Sequence, residues 1–158
     1  MKKKAVSMIL CLLIATSILA NTTLWFNASA QEPVIVFVDP AEQTVNVCNN
    51  FYVYVRISGV SPVKPVTDYD FFLYYDASKM NPVNASDGGF LQPQVTFDWE
   101  VVGPRPAVHC WAYTSDGGSI IGGTLAVIEF HCLAPGDSSL SLEVILSSYH
   151  TYFFPDIV

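Results

Sequence analysis

The sequence predicts an all-β fold, a two-sheet β-sandwich of jelly-roll type with eight to nine strands that follows an N-terminal signal helix. Three observations predict it. After residue 30, apolar and polar residues alternate with period two in most segments, turn-forming residues interrupt these segments about every ten residues, and no window of this part has convincing helical periodicity. Short strands separated by regular turn signals are typical of β-sandwiches.

The N-terminus has the pattern of a secretory signal peptide. Three lysines, Lys2 to Lys4, precede an apolar run over residues 5–20, and the small residues Ala28-Ser29-Ala30 form a cleavage pattern. The alternative is a retained membrane anchor, but the run is shorter than the about 20 residues of a spanning helix. We therefore expect a signal peptide over residues 1–30, one domain over residues 31–158, and a secreted or cell-surface location. Membrane contact is expected only through the signal segment if it is not cleaved.

The charge of the exported part argues against nucleic acid as a partner. All fourteen acidic residues but only four of the seven basic residues follow residue 30, which gives a net charge of −10. Proteins that bind nucleic acid need basic surfaces to neutralise phosphates.

The segment over residues 68–80 is predicted to contain the central strand. Tyr69, Phe71 and Leu73 occupy every second position, and the positions between them begin with Asp70. Successive strand side chains point to opposite faces of a sheet. One face can therefore enter the core while the other stays accessible. The remaining strands are predicted over residues 34–38, 44–47, 51–57, 95–102, 107–114, 124–132 and 140–146, and a loop over residues 81–89.

Taken in order, four segments resemble the cohesin family, the β-sandwich modules that receive dockerin domains in cellulosome scaffolds. The resemblance extends from about Val34 to Leu146. The segments are VNV at 45–47 followed by FYVYV at 51–55, FFLYYD at 71–76 with Met80, GTLAVIEF at 123–130, and GDSSLSL at 136–142.

The resemblance implies a binding face. In the cohesin strand order, the strands over 69–75, 95–102, 107–113 and 140–146 form one sheet, whose outer face receives the dockerin. Trp111 and Tyr74 would be its anchors, and Asp70 and Glu143 would meet basic residues of the partner. The alternative is that these aromatic residues pack under the loop over 117–123 or the tail over 149–154. The predicted partner-binding residues are Asp70, Phe72, Tyr74, His109, Trp111, Tyr113, Glu143 and Ile145.

Cys48, Cys110 and Cys132 lie in the exported part, where an oxidising environment favours one disulfide with one cysteine left over. In the cohesin strand order, Cys48 opens the strand that runs antiparallel beside the segment containing Cys132. The preferred pair is therefore Cys48 with Cys132, and the alternative is Cys110 with Cys132. Cys48 stands where the family commonly has glycine.

No motif in the sequence predicts a catalytic, metal or cofactor site. In the dipeptides His109-Cys110 and His131-Cys132, neighbouring strand side chains point to opposite faces and cannot bind one ion together. The Asn84-Ala85-Ser86 sequon predicts glycosylation of Asn84 in the loop over 81–89.

The predicted function is an extracellular, non-catalytic recognition module of cohesin type with a dockerin-like or other surface protein as partner. One alternative is a carbohydrate-binding module in which Trp99, Trp111 and Tyr74 stack on the sugars of a polysaccharide. Another is a structural component of the cell envelope. The chain reaches Val158 before or within the segment that forms the last strand of such modules, so we expect either a truncated last strand or an edge that a partner covers. A structural component is expected to self-associate through that uncovered edge.

Overall fold

A computed structural model describes residues 32–92, 96–115, 117–148 and 151–158. The predicted signal helix lies outside these residues. Within them the fold is all-β, and no helix is long and apolar enough to cross a membrane. The strands are β1 (Ile35–Asp39), β2 (Asn50–Ser58), β3 (Asp68–Tyr74), β4 (Met80–Asp87), β5 (Thr96–Val102), β6 (Ala107–Tyr113), β7 (Gly123–Cys132), β8 (Ser141–Ser148), β9 (Thr151–Phe153) and β10 (Asp156–Ile157).

The strands form two five-stranded sheets. The front sheet has the order β5-β6-β3-β8-β9, and the back sheet has the order β10-β1-β2-β7-β4. All neighbouring pairs are antiparallel except β1 and β10, which are parallel. This arrangement confirms the predicted sandwich and the predicted sheet built from β3, β5, β6 and β8.

The core lies between the sheets and is built from the inward residues of alternating strands. In β3, Tyr69, Phe71 and Leu73 are buried while the residues between them are partly exposed, as the alternation predicts. Phe130 of β7 is fully buried on the opposing sheet. Each large apolar side chain buried in this way stabilises the fold by about 1.5–3 kcal/mol.

A hydrogen bond also joins the two sheets. The hydroxyl of Tyr69 donates to the carbonyl of Leu125 in β7 at 2.6 Å, deep in the core. Burial raises the pKa of Tyr69, so the hydroxyl keeps its proton and remains a donor. The central strand is thereby tied to the back sheet by a polar contact as well as by apolar packing.

The prediction of a loop over residues 81–89 is wrong, because residues 80–87 form β4, an edge strand of the back sheet. Its sequence, MNPVNASD, lacks apolar alternation and contains Pro82. Proline is tolerated on edge strands and at bulges, and the pairing of β4 with β7 shifts register between Pro82 and Asn84. Asn84 is exposed as expected, but on a strand rather than in a loop.

The strand predicted over residues 44–47 is also absent. These residues lead into a turn in which the backbone N–H of Asn49 donates to the carbonyl of Asn46 at 3.1 Å. Cys48 in this turn has a φ of 67°, a left-handed conformation that favours glycine. The backbone at residue 48 therefore has a conformation that glycine adopts without strain.

No disulfide joins the three described cysteines, which are all free thiols, so the predicted bridge is not formed in the structure. Cys48 is exposed, whereas Cys132 is buried at the end of β7 and Cys110 is buried in the front sheet. The backbone N–H of Cys48 nevertheless donates to the carbonyl of Cys132 at 2.8 Å. Pairing of Cys48 with Cys132 on oxidation stays a prediction. Burial raises the pKa of Cys110 to about 12, which keeps its thiol protonated.

The final strand covers part of the edge that was expected to be open. β10 lies parallel to β1, and the backbone N–H groups of Asp156 and Val158 donate to the carbonyls of Val34 and Val36. Those carbonyls at the beginning of β1 therefore have backbone partners within the chain.

Candidate functional site

All eight predicted partner-binding residues lie on the outer face of the front sheet. On β3, Asp70 is opposite Trp111 of β6 and Ile145 of β8. Phe72 is likewise opposite His109 and Glu143. None of the eight is buried, whereas their inward neighbours, such as Phe71, Cys110 and Val144, are. The sorting of alternate residues into core and surface brings the predicted set together.

Four rings form a continuous stack across this face. Phe72 packs on Tyr74 with ring centroids 6.3 Å apart and on His109 at 4.2 Å, nearly parallel at 6°. His109 in turn lies 4.7 Å from Trp111. We call these four residues the ring stack. Aromatic pairs at such separations contribute about 0.5–1.5 kcal/mol beyond their burial, so each ring fixes its neighbours.

His109 also links three strands through its ring nitrogens. Nε2 lies 2.9 Å from Oδ1 of Asp70 on β3, and Nδ1 lies 3.2 Å from Oε1 of Glu100 on β5. An ionised carboxylate can only accept hydrogen bonds, so both contacts are hydrogen bonds only when both ring nitrogens carry a proton. In that form a cation lies between two anions in the middle of the ring stack.

Tyr74 has its own charged partners at one end of the face. Its hydroxyl donates to Oε2 of Glu143 at 2.9 Å, and this hydrogen bond raises the pKa of Tyr74. The guanidinium carbon of Arg105 lies 3.7 Å from the centre of the Tyr74 ring, and its Nη2 donates to Oγ of Ser141 at 3.2 Å. This is a cation–π contact with a carboxylate on the same tyrosine.

A shallow depression of about 190 Å³ lies at the opposite end of the face. Tyr113, one of its walls, is 51% exposed. The outward residues that line the depression are Asp68, Asp70, Trp111, Tyr113, Ile145 and Ser147.

Sequence reasoning missed Asp68, Glu100 and Arg105. The period-two pattern could have identified Asp68, because it lies two residues before Asp70 on β3 and therefore points to the same face. Identifying Glu100 requires the register of β5 on β6, because that register puts Glu100 opposite His109. Arg105 lies in the turn between those strands and had no periodic signal.

The aromatic residues of the ring stack are half-buried and pack on one another. In the loop over 117–123, Ser119 pairs with Val66, just before β3. In the tail, β9 pairs with the edge of β8, and Phe153 packs against the core.

The row of sugar-stacking aromatics is not formed. Trp99 is opposite buried Cys110 and packs against the core, whereas Trp111 and Tyr74 point outward. The three rings therefore do not share a surface, and the carbohydrate-binding alternative is not favoured. Within the described residues, no group of three or more His, Cys, Asp or Glu side chains is arranged to hold a metal ion.

Comparison with solved structures identifies the fold, although no protein-family model and no curated protein matched the sequence. A type I cohesin–dockerin complex from Clostridium thermocellum contains a chain with a TM-score of 0.67 and 16% identity, over 80% of this chain and 95% of that one. The sixth cohesin of scaffoldin B from Acetivibrio cellulolyticus, in complex with a Cel5 dockerin, has a TM-score of 0.64 and 16% identity, over 80% and 95%. A non-cellulosomal cohesin from the archaeon Archaeoglobus fulgidus has a TM-score of 0.60 and 18% identity, over 73% and 78%.

The chain has the fold of a cohesin module. The cohesin fold predicted from the four sequence segments is thereby confirmed. Because the identities are low, the similarity concerns the fold alone, and the local geometry carries the argument about binding.

Proposed function

We propose that the protein is an exported, non-catalytic recognition module of cohesin type that binds a dockerin-like protein through the outer face of the front sheet. The observation that carries the proposal is the ring stack with its acidic surroundings, on a fold whose solved examples include cohesin–dockerin complexes. The binding residues in this proposal are the eight on that face, with Trp111 and Tyr74 as anchors.

The physical character of the face suits a protein partner. A sheet is broad and flat, and tryptophan, tyrosine and arginine, which dominate the binding energy of interfaces, occur together on this one. The rings already pack on one another, so binding costs little side-chain freedom. The carboxylates of Asp70, Glu100 and Glu143 complement a basic partner surface.

Calorimetry against a panel of purified type I and type II dockerin modules tests the proposal. Saturable one-to-one binding of at least one module is the expected result. If no module binds the folded protein, the dockerin proposal is wrong. Tight binding that Trp111→Ala and Tyr74→Ala both leave unchanged would contradict the choice of this face.

Export and glycosylation are proposed with the same function. The signal-peptide pattern in the sequence of residues 1–30 supports secretion or display at the cell surface, and sequencing the N-terminus of the exported protein should give Gln31 first. Asn84 is exposed on β4 of the back sheet, so a glycan there would leave the proposed binding face open. Intact-protein mass spectrometry of the native protein and of Asn84→Gln measures the modification.

A further inference from the structure

We propose that the depression beside Trp111 receives an arginine side chain of the partner. The inference rests on the proposed function for the identity of the partner. The site itself is argued from the residues that line it.

The depression has one acidic row between an aromatic wall and an aliphatic one. Asp68 and Asp70 are alternate residues of β3, so their side chains leave the same face roughly 7 Å apart. Tyr113 is opposite Asp68, and Trp111 is opposite Asp70. On the other side, Ile145 of β8 is opposite Asp70. An elongated apolar stem with a cationic end fits this arrangement.

Both carboxylates keep capacity for further hydrogen bonds. Oδ1 of Asp70 meets His109 at 2.9 Å, and Oδ2 of Asp68 accepts from the hydroxyl of Thr67 at 2.5 Å. An ionised carboxylate offers about four lone-pair sites, so neither is saturated by these contacts. The side chain of Asp70 is 46% exposed, which leaves it open to a ligand.

The other end of the same face provides an internal precedent. There, the guanidinium of Arg105 lies on the Tyr74 ring, and the carboxylate of Glu143 binds the hydroxyl of the same tyrosine. The depression repeats this chemistry with Trp111, Tyr113 and two aspartates, but its described lining contains no lysine or arginine. The chain supplies its own guanidinium at one end of the face, and we assign the second guanidinium to the partner.

Arginine fits the depression better than lysine does. Its planar guanidinium stacks on aromatic rings and presents paired N–H groups to a carboxylate, whereas the lysine ammonium is a compact and strongly hydrated point charge. Trp111 also has a carboxylate opposite it on each side, Asp70 on β3 and Asp98 on β5, which strengthens the attraction for a cation over its ring.

Nuclear magnetic resonance titration tests the site without any dockerin. N-acetyl-arginine methylamide is added to isotope-labelled protein, and the signals of the Trp111 indole and the Tyr113 amide are followed. Saturable shifts at both signals are expected. In the D68N/D70N variant the affinity should fall roughly tenfold or more, because charge-assisted hydrogen bonds are lost. The control Glu129→Gln, on β7 of the back sheet, should keep the parent affinity.

Several outcomes would overturn the assignment. The uncharged citrulline analogue should cause no saturable shift, and the lysine analogue should bind more weakly. Equal binding of either analogue, shifts confined to the back sheet, or an unchanged affinity in D68N/D70N contradicts an arginine site.

Failure of this inference can be separated from failure of the proposed function. If a dockerin module binds the parent protein and D68N/D70N equally well, the depression is not the arginine site, but the recognition role stands. If the arginine analogue binds at Trp111 and no dockerin module does, the site stands and the dockerin proposal is wrong.

Discussion

On the back sheet several outward polar side chains pair with one another, whereas on the front sheet carboxylates line a depression whose described lining contains no lysine or arginine. Arg56 meets Asp39 at 2.8 Å on the back sheet, and Asn50 donates to Glu129 at 2.7 Å while it also meets His131. These polar groups satisfy each other within the chain.

The front sheet has a different balance. Its ring stack holds one histidine between the carboxylates of Asp70 and Glu100, and the described lining of the depression contains no lysine or arginine. Aromatic residues occur on both faces, since Tyr52 and Tyr54 lie on the back sheet. The contrast teaches that exposed carboxylates beside packed rings, rather than aromatic content alone, mark the proposed binding face.

The largest difference in dockerin affinity is expected between two variants that each replace one aromatic residue, one on each face. Trp111→Ala should weaken dockerin binding by roughly 30-fold or more, about 2 kcal/mol, because it removes a central anchor. Tyr52→Ala, from a residue that is 50% exposed on the back sheet, should leave affinity unchanged. Calorimetry measures both, with melting temperatures recorded to confirm that each variant is folded. Equal losses in the two variants would remove the distinction between the faces.

The two histidines provide a second test. His109→Leu should lower the free energy of unfolding by about 1 kcal/mol, because the carboxylates of Asp70 and Glu100 lose the donor between them. His131→Leu removes one contact with Asn50 at a polar surface and should cost at most about 0.5 kcal/mol. Urea denaturation measures both values, and a larger loss for His131→Leu would contradict the proposed difference.

We expect Cys48→Gly to stabilise the protein at the turn that precedes β2 of the back sheet, without an effect on the front sheet. A residue other than glycine with a φ of 67° is strained, and glycine removes a penalty of about 1 kcal/mol. The melting temperature should rise, and dockerin affinity should not change because residue 48 precedes β2 of the back sheet. A fall in the melting temperature would mean that the cysteine side chain stabilises the turn.

The smallest effect is expected for the exposed ion pair of the back sheet. The side chains of Arg56 and Asp39 are 44% and 40% exposed, so solvent screens their attraction. Arg56→Gln should change the free energy of unfolding by no more than about 0.5 kcal/mol and should not affect binding. A loss of affinity in this variant would show that the back face takes part in recognition.

The fold was predictable where one face of a strand is buried and the other is not. In β3 the alternation assigned Tyr69 to the core and Asp70 to the surface, and both assignments are confirmed. It failed for β4, because an edge strand with Pro82 and a bulge does not need apolar alternation. It also failed at residues 44–47, where a short apolar–polar pattern leads into a backbone turn instead of a sheet.

Most residues of the candidate site were predictable from the sequence, but the contacts between them were not. Parity placed Phe72, His109 and Trp111 on one surface, because it requires only the strand order. The link from His109 to Glu100 depends on the register of two strands, and the position of Arg105 depends on the path of a turn. Neither is encoded in a local repeat of the sequence.

The rings of Tyr74, Phe72, His109 and Trp111 support one another by direct packing. We therefore expect little rearrangement of this surface on binding, and free and bound conformations should superpose closely. Selectivity among related partners should then appear as differences in residence time, while the association rate constants stay within a narrow range.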